Sequence, residues 1–118
     1  MFDRLRDVFR YAIGERTVEI VEDSPERVEL RYGSLITAFD RTLGHVTRDG
    51  KFATDFKRIT QIRLHMPSSQ EGTMNWHITV DVESGKSIEI GKVTDESQAS
   101  TVAARIASVT KKAVYARK

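Results

Sequence analysis

Two histidines and an arginine are the side chains best spaced for chemistry. His65 and His77 flank a polar stretch, PSSQEGT at 67–73, that reads as a loop between two strands. Pairing those strands antiparallel about Gln70 sets Leu64 against Trp76 on the inner face. On the outer face it sets Arg63 against His77 and His65 against Asn75. Imidazoles are the usual acid–base groups near neutral pH and the commonest metal ligands. Zinc, however, needs three or four ligands, and here two histidines stand beside a guanidinium that repels a cation. No metal is expected. The patch reads as a polar surface for contact, built on Arg63, His65 and His77, and His45 as an isolated surface residue of a short hairpin.

Other chemistries lack their residues. There is no cysteine, so thiolate metal sites, disulfides and cysteine nucleophiles are excluded. Ser68, Ser69 and Ser84 fall in loops with no Gly-x-Ser-x-Gly turn to expose a nucleophile. The seven glycines are scattered singly, without a phosphate-cradling run. Asp81 and Glu83 share one face at i, i+2, the pattern of a solvated strand, not of an acid–base pair. The expectation is a non-enzyme without a cofactor.

Composition agrees with a single soluble domain of 118 residues. Nineteen Lys and Arg oppose 17 Asp and Glu, a net charge of +2 with the signs interleaved, which makes no strong case for a polyanionic partner. No apolar run approaches the ~20 residues of a membrane span, and the N-terminus lacks the apolar core of a signal peptide. A cytoplasmic location is expected.

The elements that hold these residues alternate in two periods. Residues 2–13 carry Phe2, Leu5, Val8, Phe9, Ala12 and Ile13 on one stripe, which predicts an N-terminal helix ending at Gly14. Period-two patterning follows over 16–93. Strands are predicted at Thr17–Glu22, Arg27–Tyr32, Leu35–Arg41 (apolar on both faces, hence central), Gly44–Arg48 and Phe56–Met66. Asp49-Gly50 is a hairpin turn because both residues tolerate positive φ. Ile59 is out of phase with Ile62, Leu64 and Met66, which predicts a bulge near Thr60. Trp76, Ile78, Val80 and Val82 alternate with polar neighbours, Ser84-Gly85 turns the chain back, and Gly91 marks a second bulge before Val93. Residues 95–115 then turn helical, within a closing segment that runs to 116. Ala99, Val102, Ala103, Ile106, Ala107, Val109, Ala113 and Val114 share a face. Asp95 is the N-cap, with Gln98 in capping-box spacing.

Three stretches carry a family likeness: LITAFDRTLGHV at 35–46, FKRITQIRL at 56–64 and the tight hairpin WHITVDVESGKSIEI at 76–90, followed by the Asp-capped helix. Over residues 16–116 the chain resembles bacterial pleckstrin-homology-like (PH-like) domains. The resemblance implies a mainly β, α+β fold: a curved antiparallel sheet or barrel of six to seven strands, capped by a C-terminal helix, with the N-terminal helix as an addition. It implies no catalytic residue. Phosphoinositide-binding relatives use a basic first hairpin, whereas VEIVEDSPERVELRYG is acidic here and repels such head groups.

The expected role is a binding or assembly module. Its candidate interaction surface joins the helical stripe of Phe2, Leu5, Phe9 and Ile13 to Arg63, His65 and His77, and its partner is a protein or a second copy of the chain. One alternative is a peripheral, anionic-lipid-binding domain using Arg4, Arg6, Arg10 and Arg16. Another is a small nucleic-acid binder using Lys57, Arg58, Arg63 and His65.

Overall fold

The computed structural model describes residues 17–66 and 75–117. The predicted N-terminal helix, with Phe2, Leu5, Phe9 and Ile13, lies outside the described residues. So do Arg4, Arg6, Arg10 and Arg16.

Among the described residues, two sheets and one helix build a mainly β fold. The first sheet is a meander: β1 (Glu19–Asp23), β2 (Arg27–Tyr32), β3 (Leu35–Asp40), β4 (His45–Arg48) and β5 (Lys51–Asp55), each antiparallel to the next. β3 is its middle strand, as its two-sided apolar pattern implies. Asp49 (φ 52°) and Gly50 (φ 81°) form the tight turn between β4 and β5. A short 3-10 turn, Phe56–Arg58, delivers the chain into the second sheet, β6 (Ile59–His65), β7 (Trp76–Val82) and β8 (Ser87–Val93).

Both predicted bulges are present. The β6–β7 register shifts between Ile59 and Gln61, and β8 carries an extra residue, Ile90, beside Gly91. Gly91, at φ 153°, sits where a side chain has no room. A Cβ would lie 2.6 Å from the Tyr32 ring and from a Val18 methyl. That close approach brings the start of the first sheet onto β8, where the Val18 N–H donates to the Lys92 carbonyl (3.2 Å).

Helix α1 (Glu96–Thr110) closes the core. Asp95 caps it by accepting from the Ser97 N–H (3.3 Å). Gln98 does not complete a capping box; its amide donates instead to the Val18 carbonyl (3.3 Å), tying the helix to the strand opening. Ala99, Val102, Ala103, Ile106 and Val109 are buried against both sheets, together with Val28, Leu30, Phe39, Ile62, Trp76, Ile78 and Val80.

The structure corrects the expected helix end and strand count. α1 stops at Thr110; Lys111 takes a left-handed conformation (φ 64°) and its N–H donates to the Ala107 carbonyl (2.8 Å). Residues beyond it, in helical phase by sequence, form β9 (Val114–Arg117), which pairs parallel to β6. The sheet is therefore not purely antiparallel, and with β5 and β9 the described residues hold nine strands instead of six to seven. The edge of β6 offers backbone partners that the helical stripe alone does not reveal: the Ile62 N–H donates to the Ala113 carbonyl (2.9 Å).

Candidate functional site

The outer face of the second sheet follows directly from strand alternation. β6 turns Ile62 and Leu64 inward and Gln61, Arg63 and His65 outward; β7 turns Trp76, Ile78 and Val80 inward and His77, Thr79 and Asp81 outward. All three described candidates, Arg63, His65 and His77, thus lie on one face.

Their register differs by two residues from the expected one. His65 pairs with His77, Arg63 with Thr79 and Leu64 with Ile78. A slip of two leaves every side chain on its own face, so the apolar pattern cannot choose between the registers; only a slip of one is forbidden by burial. The consequence is a different set of neighbours. The two imidazoles face each other with centroids 6.4 Å apart, and Arg63 reaches diagonally to Asp81.

Asp81 is the hub of this face. Its carboxylate accepts from Gln61 Nε2 (2.9 Å), Arg63 Nη2 (3.0 Å) and Ser87 Oγ (2.8 Å). Burial opposes its ionisation, but the hydrogen bonds from Gln61 and Ser87 and the positive charge of Arg63 outweigh that. They hold its pKa below the ordinary value. It is not the freely solvated carboxylate its spacing suggests. Arg63 Nε is buried without a partner.

His77 sits in a mixed field. Its Nδ1 lies 3.6 Å from Glu89 on β8. Burial lowers its pKa, Lys92 and His65 lower it further, and Glu89 only partly compensates. The imidazole therefore holds its proton less tightly than an ordinary one. The carboxylates near the patch, Glu89 and Asp81, come from strand pairing and are not visible in the spacing of the histidines. No group of three or more His, Cys, Asp or Glu suited to a metal ion occurs among the described residues. The lateral pairing also sets Tyr115 of β9, 53% exposed, beside Arg63 at the rim of the face.

Lys57 and Arg58 lie in the 3-10 turn before β6, whereas His65 ends that strand. At the rise of a strand this separates them by about 20 Å, so the four residues of the nucleic-acid alternative are not gathered into one site. Arg58 instead lines a groove of about 570 Å³ between β5 and the β7–β8 hairpin, with Thr54, Glu83, Ser84, Lys86 and Ser87.

Exposed large apolar side chains have a clear placement. Among the described residues they are Ile20 and Val21 on β1, Phe52 on β5, Val114 and Tyr115 on β9, and Leu43 in the β3–β4 turn. β1 and β5 are the two edges of the first sheet, and β9 is one edge of the second. Phe52 is 62% exposed, and its ring meets that of His45 in a T-shaped arrangement, at 5.5 Å between centroids. No helix among the described residues is long and apolar enough to cross a membrane. No family model, curated protein or solved structure matches the chain.

Proposed function

We propose that this chain is a non-enzymatic binding and assembly module of PH-like fold, working in the cytoplasm and making its contacts along sheet edges. The observation that carries the reading is the clustering of exposed apolar side chains on β1, β5 and β9. An edge strand offers unpaired N–H and C=O groups, and apolar side chains beside them favour an added strand over water. The outer face around Arg63, His65 and His77 suits a polar rim to such a contact, because its charges are largely satisfied within the chain. A two-sheet meander closed by a helix after the last hairpin supports the PH-like likeness. The five-stranded first sheet and β9 are departures from it.

Light scattering across a concentration series tests the assembly role. The expected result is a mass rising above the 13.4 kDa of one chain, and reversal when Phe52→Lys or Tyr115→Lys places charge on an edge. A constant single-chain mass overturns self-association.

A further inference from the structure

Of the four strands at sheet edges, three are blunted. β1 carries an extra residue at Val21 and β5 one at Ala53. β8 has its bulge at Ile90, and its outer side is partly taken by Val18 and by Arg48, whose Nη2 donates to the Glu89 carbonyl (2.9 Å). A bulge twists an edge away and breaks the even spacing that an incoming strand needs. β9 has no such defence: Val114, Tyr115, Ala116 and Arg117 pair with β6 in unbroken register.

The backbone of β9 is divided cleanly between two sides. Because the Ile62 N–H donates to the Ala113 carbonyl, alternation turns the groups of residues 113 and 115 toward β6. The N–H and C=O of Val114 and Ala116 then point outward. The side chains of Val114 and Tyr115, 39% and 53% exposed, stand on opposite faces of this edge. The charged side chains of this stretch have one sign: residues 111–118, KKAVYARK, include four Lys or Arg and no Asp or Glu. Among the described residues Lys111 and Lys112 make no ion pair, while Arg27, Arg31, Arg63 and Arg105 all do.

We propose that β9 is a strand-addition site for an extended, acidic peptide segment of a partner protein. The partner's backbone bonds Val114 and Ala116, and its carboxylates meet the Lys111–Lys112 corner. This rests on the binding-module reading, though not on self-association.

The test uses the full chain and fluorescence anisotropy with labelled octapeptides that alternate Val with Glu, Val with Lys, or Val with Ser. The Val–Glu peptide is expected to bind saturably and to weaken with added salt. Its Kd is expected to rise about tenfold or more in Ala116→Pro, which removes an outward N–H without touching the β6 ladder, and in Lys111→Asn/Lys112→Glu. Leu43→Lys, in the β3–β4 turn, should leave it unchanged. Independently of any variant, the bound peptide should slow amide exchange at Val114 and Ala116 in the unmodified chain. Equal binding of the three peptides overturns the acidic partner. Val–Glu binding that Phe52→Lys abolishes and Ala116→Pro spares overturns the β9 assignment while leaving the binding-module reading standing. No peptide binding with a mass that grows with concentration and falls in Ala116→Pro assigns β9 to a second copy and overturns the proposal. No peptide binding with a constant single-chain mass overturns both.

Discussion

Single residues carry two consequences that stability measurements read directly. His77 binds its proton more weakly in the folded chain than in the unfolded one, because it is partly buried and faces Lys92 and His65. The folded state therefore holds fewer protons, and stability rises with pH. The contribution is complete above the ordinary imidazole value of 6.5 and is lost as pH falls through the lowered one. Asp81 acts in the same direction further down. Its depressed pKa adds stability that is present above 3.8 and disappears in stronger acid. The melting temperature should fall as the pH drops through and below 6.5, and His77→Gln should flatten that fall while leaving the more acidic limb. The second consequence lies at Gly91. Ala there drives a Cβ into Tyr32 and Val18 at 2.6 Å while asking a side chain to adopt φ 153°. Gly91→Ala should cost about 2 kcal/mol or more in denaturant unfolding. A loss under about 0.5 kcal/mol, the size of an ordinary surface change, would mean that the strand and Tyr32 yield freely.

At the scale of elements, α1 is held by a cap at one end and by apolar packing along its length. Asp95 supplies the cap, so Asp95→Ala should lose about 1 kcal/mol with no change in spectroscopic signature of the sheets. Ile106 is fully buried where α1 meets both sheets, and Ile106→Ala should lose about 2–5 kcal/mol, since the surrounding strands cannot collapse into the void. The two losses should add, because cap and core contact lie three turns apart and share no partner. The C-terminal end of α1 is decided differently. Thr110 Oγ1 donates to the Ile106 carbonyl (2.7 Å), Lys111 takes the left-handed conformation, and the chain leaves at an angle that lets β9 reach β6.

For the whole molecule, the core is shared by two sheets and one helix, so its aromatic anchor reports on all of them. Trp76 is 3% exposed between Val93 on β8 and the helix-covered interior. Its fluorescence should be blue-shifted in the native state and should move to the red in one transition that coincides with loss of helical ellipticity. Separate transitions would mean that the sheet and α1 unfold as independent units. Among the described residues the two sheets meet through Val18 to Lys92, Arg48 to Glu89 and the packing of Tyr32 on Gly91. α1 bridges them as well, with Arg105 Nε donating to Asp23 on β1 (2.7 Å).

Local chemistry determined most of the elements. Alternation placed β2, β3, β4, β6, β7 and β8 within a residue or a few of their ends. The turn at Asp49-Gly50, the bulges near Thr60 and Gly91, the Asp95 cap and the burial of Trp76 and Ile106 were all legible. Each depends on a residue's own conformational freedom or on its phase with near neighbours. The polar face of Arg63, His65 and His77 was legible for the same reason, since period two alone fixes the side of a strand. Tertiary structure decided the rest. The β6–β7 register slipped by two because both alignments bury the same side chains, and so His65 met His77 and Arg63 found Asp81. Ala113 and Val114 fit the helical stripe of α1 equally well, but the open edge of β6 supplied hydrogen bonds that a lengthened helix could not use. β5, with Phe52 exposed at an edge, lacks the buried alternation that marks a strand. Which strands lie at the sheet edges, and which charges stand beside them among the described residues, is a property of the assembled sheets and is written in no local pattern.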